Sequence, residues 1–131
     1  MLLRRRRQKR IKYEFAPDLQ VKAEDICVKL FPNIKLGYFK CFRSYHSGSR
    51  GTIARCHGLP KIMQETIECP AFYAIEFLSE KFDKLSEEEQ TKTIIHELMH
   101  IPKNFGGGFK HHNYVTNKNV DKMYKEYKTA D

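Results

Sequence analysis

The hydrophobic pattern of the chain predicts a helix, then several short strands, then two further helices. Apolar residues three or four positions apart predict the first helix over about residues 19 to 30. Asp18 is a favourable capping residue at its start, and Phe31-Pro32-Asn33 ends it. The apolar stripe of this helix consists of Leu19, Ala23, Ile26 and Leu30.

Three segments in the middle of the chain have the composition of β-strands. Residues 36 to 43 and 52 to 57 are separated by a polar loop rich in serine and glycine. Gly58-Leu59-Pro60 interrupts the chain, and the pattern over residues 61 to 66 is ambiguous. Phe72 to Leu78 is rich in aromatic and branched side chains and predicts a strand.

The next helix has sequence signals at both ends. Ser86 and Glu89 form a capping box, in which each side chain accepts a hydrogen bond from the backbone N–H of the other. Pro102 disfavours helical geometry at Ile101 and cannot continue the hydrogen-bond ladder, so the helix ends there. Its apolar residues are Ile94, Ile95, Leu98 and Met99.

A last apolar stripe predicts a C-terminal helix. The fold class we predict is α+β, with a small mixed sheet packed on the first helix and on the helix after residue 86. The chain has 131 residues, 40% of them hydrophobic, which suits one domain with a modest core. We assign that domain to residues 13–131 and a basic arm to residues 1–12. The C-terminal stripe consists of Val120, Met123, Tyr124 and Tyr127.

The helix after residue 86 carries an H-E-x-x-H motif, His96-Glu97-Leu98-Met99-His100. Residues four apart lie on one helical face, so His96 and His100 can direct two imidazoles to one ion. Glu97 stands beside them and can take a proton from a metal-activated water. This arrangement indicates a zinc hydrolase, although two structural histidines on a buried helix would have the same spacing.

A catalytic zinc takes three protein ligands and keeps one position for water. After the motif, the chain offers His111, His112, Asp121 and Glu126 as candidates for the third ligand. The glycines of Lys103 to Gly108 allow a sharp reversal that brings one of the two histidines back to the metal. The spacing alone does not decide between those two histidines.

The motif and its surroundings resemble the small metallopeptidases of phages and archaea, which belong to the zincin group. The resemblance runs from about Lys12 to Tyr127 and is strongest at His96 to Phe105, where H-E-L-M-H-I-P-K-N-F is similar to the family's H-E-L-x-H-I-P signature. Gly107-Gly108 and the histidine that follows are also similar. Weaker similarities lie at Arg43-Ser44, Ser47, Ser49-Arg50, Gly58 to Ile62, Ile75-Glu76 and Phe82 to Leu85.

This resemblance implies a minimal zincin-like fold and a zinc-dependent peptidase with one zinc per chain. It implies His112, rather than His111, as the third ligand. A zincin also binds an extended peptide along an edge strand near the metal helix. Phe72 to Leu78 is our candidate for that edge, where Glu76 either orients a ligand or substrate amine, or protects the edge from aggregation.

Other side chains are candidates for binding the reacting groups. Tyr114 can donate a hydrogen bond to the oxyanion, and Lys110 and His111 are alternative donors. The alternative role for Tyr114, which a single aromatic residue more often has, is ordinary packing. Three arginines can bind a substrate carboxylate or phosphate, or can pair within the fold. They are Arg43, Arg50 and Arg55.

The positive charge is concentrated at one end of the chain. Seven of the 24 basic residues lie between positions 4 and 12, and the net charge of the whole chain is +8. Such a run can bind nucleic-acid phosphates without reading sequence, or can be a solvated tail. An aromatic stacking platform beside it is not evident from the sequence. The basic residues are Arg4, Arg5, Arg6, Arg7, Lys9, Arg10 and Lys12.

The remaining composition favours a reduced, cytoplasmic protein. The four cysteines are 13 to 15 positions apart without a C-x-x-C pair, so we expect reduced and buried thiols. The chain has no 18-residue apolar run and no signal-peptide pattern. Two alternatives to a peptidase remain: a zinc hydrolase acting on nucleic acid, and a non-catalytic nucleic-acid-binding protein in which zinc ties the glycine loop to the helix.

Overall fold

A four-stranded mixed sheet and five helices make up the part of the chain that the computed structural model describes, which is residues 10–106, 108 and 114–130. This confirms the α+β prediction. The elements in chain order are β1 (Lys12–Phe15), α1 (Pro17–Leu30), a 3₁₀ turn (Leu36–Tyr38), β2 (Phe39–Tyr45), β3 (Ala54–Gly58), α2 (Lys61–Thr66), β4 (Tyr73–Leu78), α3 (Ser79–Phe82), α4 (Glu87–Met99) and α5 (Asn117–Thr129).

The strand order in the sheet is β1-β2-β4-β3. β2 and β4 are parallel, and β1 and β3 each pair antiparallel with their neighbour. β4 therefore lies inside the sheet, and the prediction that Phe72 to Leu78 forms an edge is wrong. Five of the six residues of β4 are buried, as expected for a strand with a neighbour on each side. β3 is the edge strand that follows β4 in the sheet.

The hydrophobic core lies between one face of the sheet and the helices. Successive side chains of a strand point to opposite faces, so Ile75 and Phe77 share the inner face of β4. These residues join a single buried cluster with Ile26 of α1 and with Ile94 and Leu98 of α4. α5 packs against α1 and α4 and adds Val120 to the cluster.

The first helix begins differently from the prediction. Ala16 is its N-cap and Pro17 is its first residue, so Asp18 does not cap the helix. The Asp18 carboxylate instead accepts two hydrogen bonds from the guanidinium of Arg43, with N–O distances of 2.7 and 2.9 Å. These bonds hold the pKa of Asp18 below its usual range. Arg43 also donates to Asp83, so it pairs within the fold.

The two later helices agree with their sequence signals. Ser86 caps α4 by accepting a hydrogen bond from the Glu89 N–H at 3.2 Å, and Thr116 caps α5 through the Asn119 N–H. α4 ends at Met99, so His100 is its C-cap rather than a residue of its last turn. No helix in the described ranges is long and apolar enough to cross a membrane.

The four cysteines are free thiols. Cys27 and Cys41 are buried, and burial raises the pKa of each thiol to about 12. Burial also raises the pKa of Cys56, which is partly exposed, as is Cys69. Because the thiolate is the reactive form, the two buried cysteines are protected both sterically and chemically.

We predict that one cysteine, Cys69, reacts rapidly with a thiol reagent such as Ellman's reagent in the native protein at neutral pH. Cys27 and Cys41 should react only after unfolding, with Cys56 intermediate. Mass spectrometry of labelled peptides identifies the site, and protein in urea is the control in which all four must react. Rapid labelling of Cys27 or Cys41 in native protein would contradict this packing.

Candidate metal centre

α4 brings the two histidines of the motif together at its C-terminal end. His96 lies in the last turn of the helix and His100 is its C-cap, still with helical backbone angles. The Nε2 atoms of the two rings are 3.4 Å apart. One helical turn therefore converges both ring nitrogens on the same point, as the i, i+4 spacing predicts.

The distance between the two nitrogens fits a shared zinc ion. Zinc binds imidazole nitrogen at about 2.0–2.1 Å in a tetrahedral arrangement, which places two such nitrogens about 3.3 Å apart. The observed 3.4 Å is close to that separation. Among the described residues, no group of three or more metal-binding side chains occurs. The predicted third ligand His112, its alternative His111 and the possible donor Lys110 all lie outside the described residues.

Glu97 lies next to this pair but is buried. Only 6% of the residue is exposed, and its Oε2 atom is 3.9 Å from Nε2 of His96. Burial disfavours the charged form and raises the pKa of Glu97 to about 7. A cation near the carboxylate would favour ionisation and lower that pKa. Glu97 is therefore positioned to exchange a proton beside the two histidines.

A cleft of about 540 Å³ runs past the motif. His96 and Glu97 form part of one wall, and the segment from Gly51 to Ala54 at the start of β3 forms the other. The Lys92 ammonium on α4 is 3.2 Å from the carboxylate of Asp121 on α5, and both residues line the cleft. The ion pair thus joins the two helices beside the cleft, which is large enough for several amino-acid residues.

The edge of β3 opposite β4 borders this region, and no further strand of the described residues pairs with it. The Leu59 N–H donates to Phe72, and the Leu78 N–H donates to Ile53, at the two ends of the β3–β4 pairing. Hydrogen-bonded pairs alternate along an antiparallel ladder, so Ala54, Cys56 and Gly58 direct their backbone groups away from β4. β3 consequently offers a row of backbone donors and acceptors at the edge of the sheet.

Two side chains that the sequence analysis missed hold the loop after the motif. Tyr73 of β4 donates a hydrogen bond from its hydroxyl to the Gly108 carbonyl at 2.9 Å, and its ring packs against Phe105. Gln64 of α2 donates to the carbonyls of Leu59 at 2.9 Å and Gly106 at 3.4 Å. No local sequence signal points to these residues, because their role depends on contacts across the fold.

The other predicted site residues lie in different places. Tyr114 is 41% exposed and lies two residues before Thr116, the N-cap of α5. Glu76 of β4 is buried and its Oε1 atom is 2.8 Å from Nε2 of His57, so its assignment to an edge is wrong. Arg55 of β3 is opposite Glu76 in the ladder, on the sheet face away from the core.

The fold and the motif together define a small α+β domain with a candidate metal centre on one helix and a cleft beside an edge strand. The chain belongs to the family described as "Putative phage metallopeptidase", whose model matches residues 11–128. That family membership implies a metal ion and an action on peptides. No curated protein and no solved structure matched the chain.

We predict about one zinc ion per chain, because neutral imidazoles favour zinc among the abundant metals. His96→Ala or His100→Ala should abolish zinc retention, since either change removes one of the two converging nitrogens. For the third ligand, His112→Ala should lose zinc and His111→Ala should retain it. Plasma mass spectrometry of the purified proteins gives the zinc content.

His57→Ala is the matched control for these variants, because His57 contacts Glu76 rather than the motif and the variant should retain zinc. Full zinc content in the His96 or His100 variant would contradict the site. Loss of zinc in His111→Ala, with retention of zinc in His112→Ala, would make His111 the third ligand instead of His112.

We predict that Glu97 destabilises the metal-free protein as the pH rises. Its pKa is about 7 in the folded chain and near 4.5 when unfolded, so the folded state binds more protons between these values. The free energy of unfolding is therefore highest below pH 4.5. It falls by about 3 kcal/mol as the pH rises through 7. Glu97→Gln removes this titration.

Urea unfolding of the metal-free wild type and Glu97→Gln between pH 4.5 and 8 measures the difference in their free energies of unfolding. The other titrating groups are the same in both proteins, so their contributions cancel in that difference. Glu97→Gln should gain stability relative to the wild type as the pH rises. A difference that does not vary with pH would contradict the burial of an ionisable carboxyl group.

Proposed function

We propose that this protein is a zinc-dependent metallopeptidase, with His96, His100 and His112 as metal ligands and Glu97 as general base. The observation that supports this function best is the 3.4 Å separation of the two Nε2 atoms, next to the buried carboxylate of Glu97, where His96 and Glu97 line a cleft. The membership of a metallopeptidase family favours a peptide substrate over nucleic acid.

Zinc bound at these residues supplies a Lewis acid and lowers the pKa of a water molecule to about 7. Glu97 accepts a proton from the attacking water and later transfers it to the leaving amine. Its position suits both steps, since the buried carboxyl group lies 3.9 Å from Nε2 of His96 and therefore beside the proposed metal. Tyr114 is our proposed hydrogen-bond donor to the oxyanion.

The substrate binds in this proposal as an extended strand along the free edge of β3. The backbone groups of Ala54 and Cys56 point away from β4 and can pair with a peptide, as in other cases of β-augmentation. The Cys56 side chain faces inwards, where the Glu97 charge contributes to raising its pKa. A peptide on this edge would therefore lie beside the general base. β3 takes the role that the sequence analysis gave to β4.

The test of function compares substrate classes on the zinc-loaded protein. Casein and a peptide library report peptide hydrolysis, while RNA and single-stranded DNA report phosphodiester hydrolysis. A chelator followed by zinc addition must remove and restore the activity. Cleavage of nucleic acid alone would support a nuclease instead, and absence of both activities with zinc bound would support a structural metal.

We predict that Glu97→Gln retains zinc but loses roughly a hundredfold or more in peptide hydrolysis, the range expected for loss of a general base. The substitution keeps the size of the side chain and its helix propensity. Glu89→Gln is the matched control, because Glu89 also lines the cleft on α4 but lies two turns from the motif. Unchanged turnover in the Glu97 variant would contradict its role as base.

A further inference from the structure

The sheet has a second face, which points away from the core and from α1 and α4. Side chains of a strand alternate between faces, so the residues between the buried core positions lie on this side. In the β1–β2 ladder, Phe15 is opposite Phe42, and in the β3–β4 ladder His57 is opposite Ala74. We call this side the outer face. Its exposed or partly exposed residues are Tyr13, Phe15, Lys40, Phe42, Arg55, His57 and Ala74.

The outer face presents aromatic rings to solvent. Tyr13 is 60% exposed and Phe15 is 47% exposed, and they lie on the same side of β1 because they are two residues apart. The Phe15 ring packs edge-on against Phe42 of β2, with 6.1 Å between the ring centroids. Exposed apolar surface of this kind is typical of an interaction site rather than of a solvated sheet.

Two adjoining grooves continue from these rings across the sheet. One has a volume of about 290 Å³ and begins at Tyr13, and the other has about 310 Å³ and ends at Phe72. They share Phe42, His57 and Ala74, so together they form one path over β2, β4 and β3. Phe72 packs on the ring of Tyr38, which is partly exposed beyond that end.

The charge of the outer face is positive. Lys40 is exposed beside the groove, and Arg55 comes from β3. The acidic residue on this side of the four strands is Glu76, which is 3% exposed and lies 2.8 Å from the His57 ring, so it presents almost no carboxylate to solvent. The basic residues from Arg4 to Arg10 precede β1 directly and add six positive charges to the sequence.

We propose that the outer face binds single-stranded nucleic acid. Exposed bases stack on Tyr13, Phe15 and Phe42, while Lys40 and Arg55 contact the phosphates. A sheet surface with stacked aromatic residues and flanking cations is a recognised means of binding single strands, and it excludes a duplex, whose bases are already stacked.

This surface is separate from the candidate metal centre, which lies on the inner side of the sheet. The proposal therefore does not depend on the peptidase function. An aromatic stacking platform beside the basic arm was not evident from the sequence, and the outer face is our candidate for one. The platform is recognisable only once β1 is known to pair with β2, because Tyr13 and Phe15 then share a face with Phe42.

The test measures binding of fluorescein-labelled 12-mers of oligo(dT) and oligo(U), and of a 12-base-pair duplex, by fluorescence anisotropy. We expect the full chain to prefer both single strands. Tyr13→Ala and Phe15→Ala should each weaken single-strand binding by about tenfold, whereas Tyr13→Phe should bind like the wild type because the ring is retained. Val28→Ala is the matched control, since Val28 is an equally exposed apolar residue on α1.

The charged groups are tested in the same assay. Lys40→Ala should weaken binding and reduce its salt dependence by about one phosphate contact, while Lys125→Ala, an equal charge change on the exposed side of α5, should have little effect. Deletion of residues 1–10 removes six positive charges and should weaken binding to every nucleic acid. The shortened chain should still prefer single strands and should still depend on Tyr13.

Four results would overturn the proposal, provided that circular dichroism shows the variants to be folded. Equal affinity of the alanine and wild-type proteins would exclude stacking. Equal affinity for duplex and single strand, or loss of all binding on deletion of residues 1–10, would assign binding to the arm alone. A homodimer that Tyr13→Ala and Phe15→Ala dissociate, without single-strand binding, would make the outer face an interface between two copies.

Discussion

The convergence of two imidazoles on one point depends on how α4 is held against the sheet. A single helical turn sets the 3.4 Å between His96 and His100, but it does not decide where the pair points. That direction comes from Ile94, Ile95 and Leu98, which are fully buried in the core. Because these apolar residues must face the core, His96 lies on another side of the helix, where it lines the cleft.

The same burial gives Glu97 its unusual chemistry. The residue follows the first histidine and therefore turns towards the protein interior, where loss of solvent raises its pKa to about 7. A carboxyl group in this position costs stability in the metal-free chain, and the cost is acceptable only if the charge is later compensated. Stability and the proposed proton transfer are thus opposed at one residue, as is common at active sites.

The local features of the site could be predicted from sequence, and the long-range features could not. Capping by Ser86, the motif spacing and the stripe on α5 depend on residues within a few positions of one another. Strand order depends on pairing between distant segments, and it makes β3, rather than β4, the edge strand. Similarly, Asp18 binds Arg43 instead of capping α1, and Tyr73 holds the loop at Gly108. Both contacts join residues far apart in the sequence, so no short pattern encodes them.

An anomalous-difference map at the zinc edge, from crystals of the zinc-loaded protein, shows directly whether α4 holds a catalytic metal. We expect one peak about 2.1 Å from Nε2 of both His96 and His100, with one further protein ligand and one coordination position open towards the cleft. A peak elsewhere, or a zinc ion closed by four protein ligands, would contradict it.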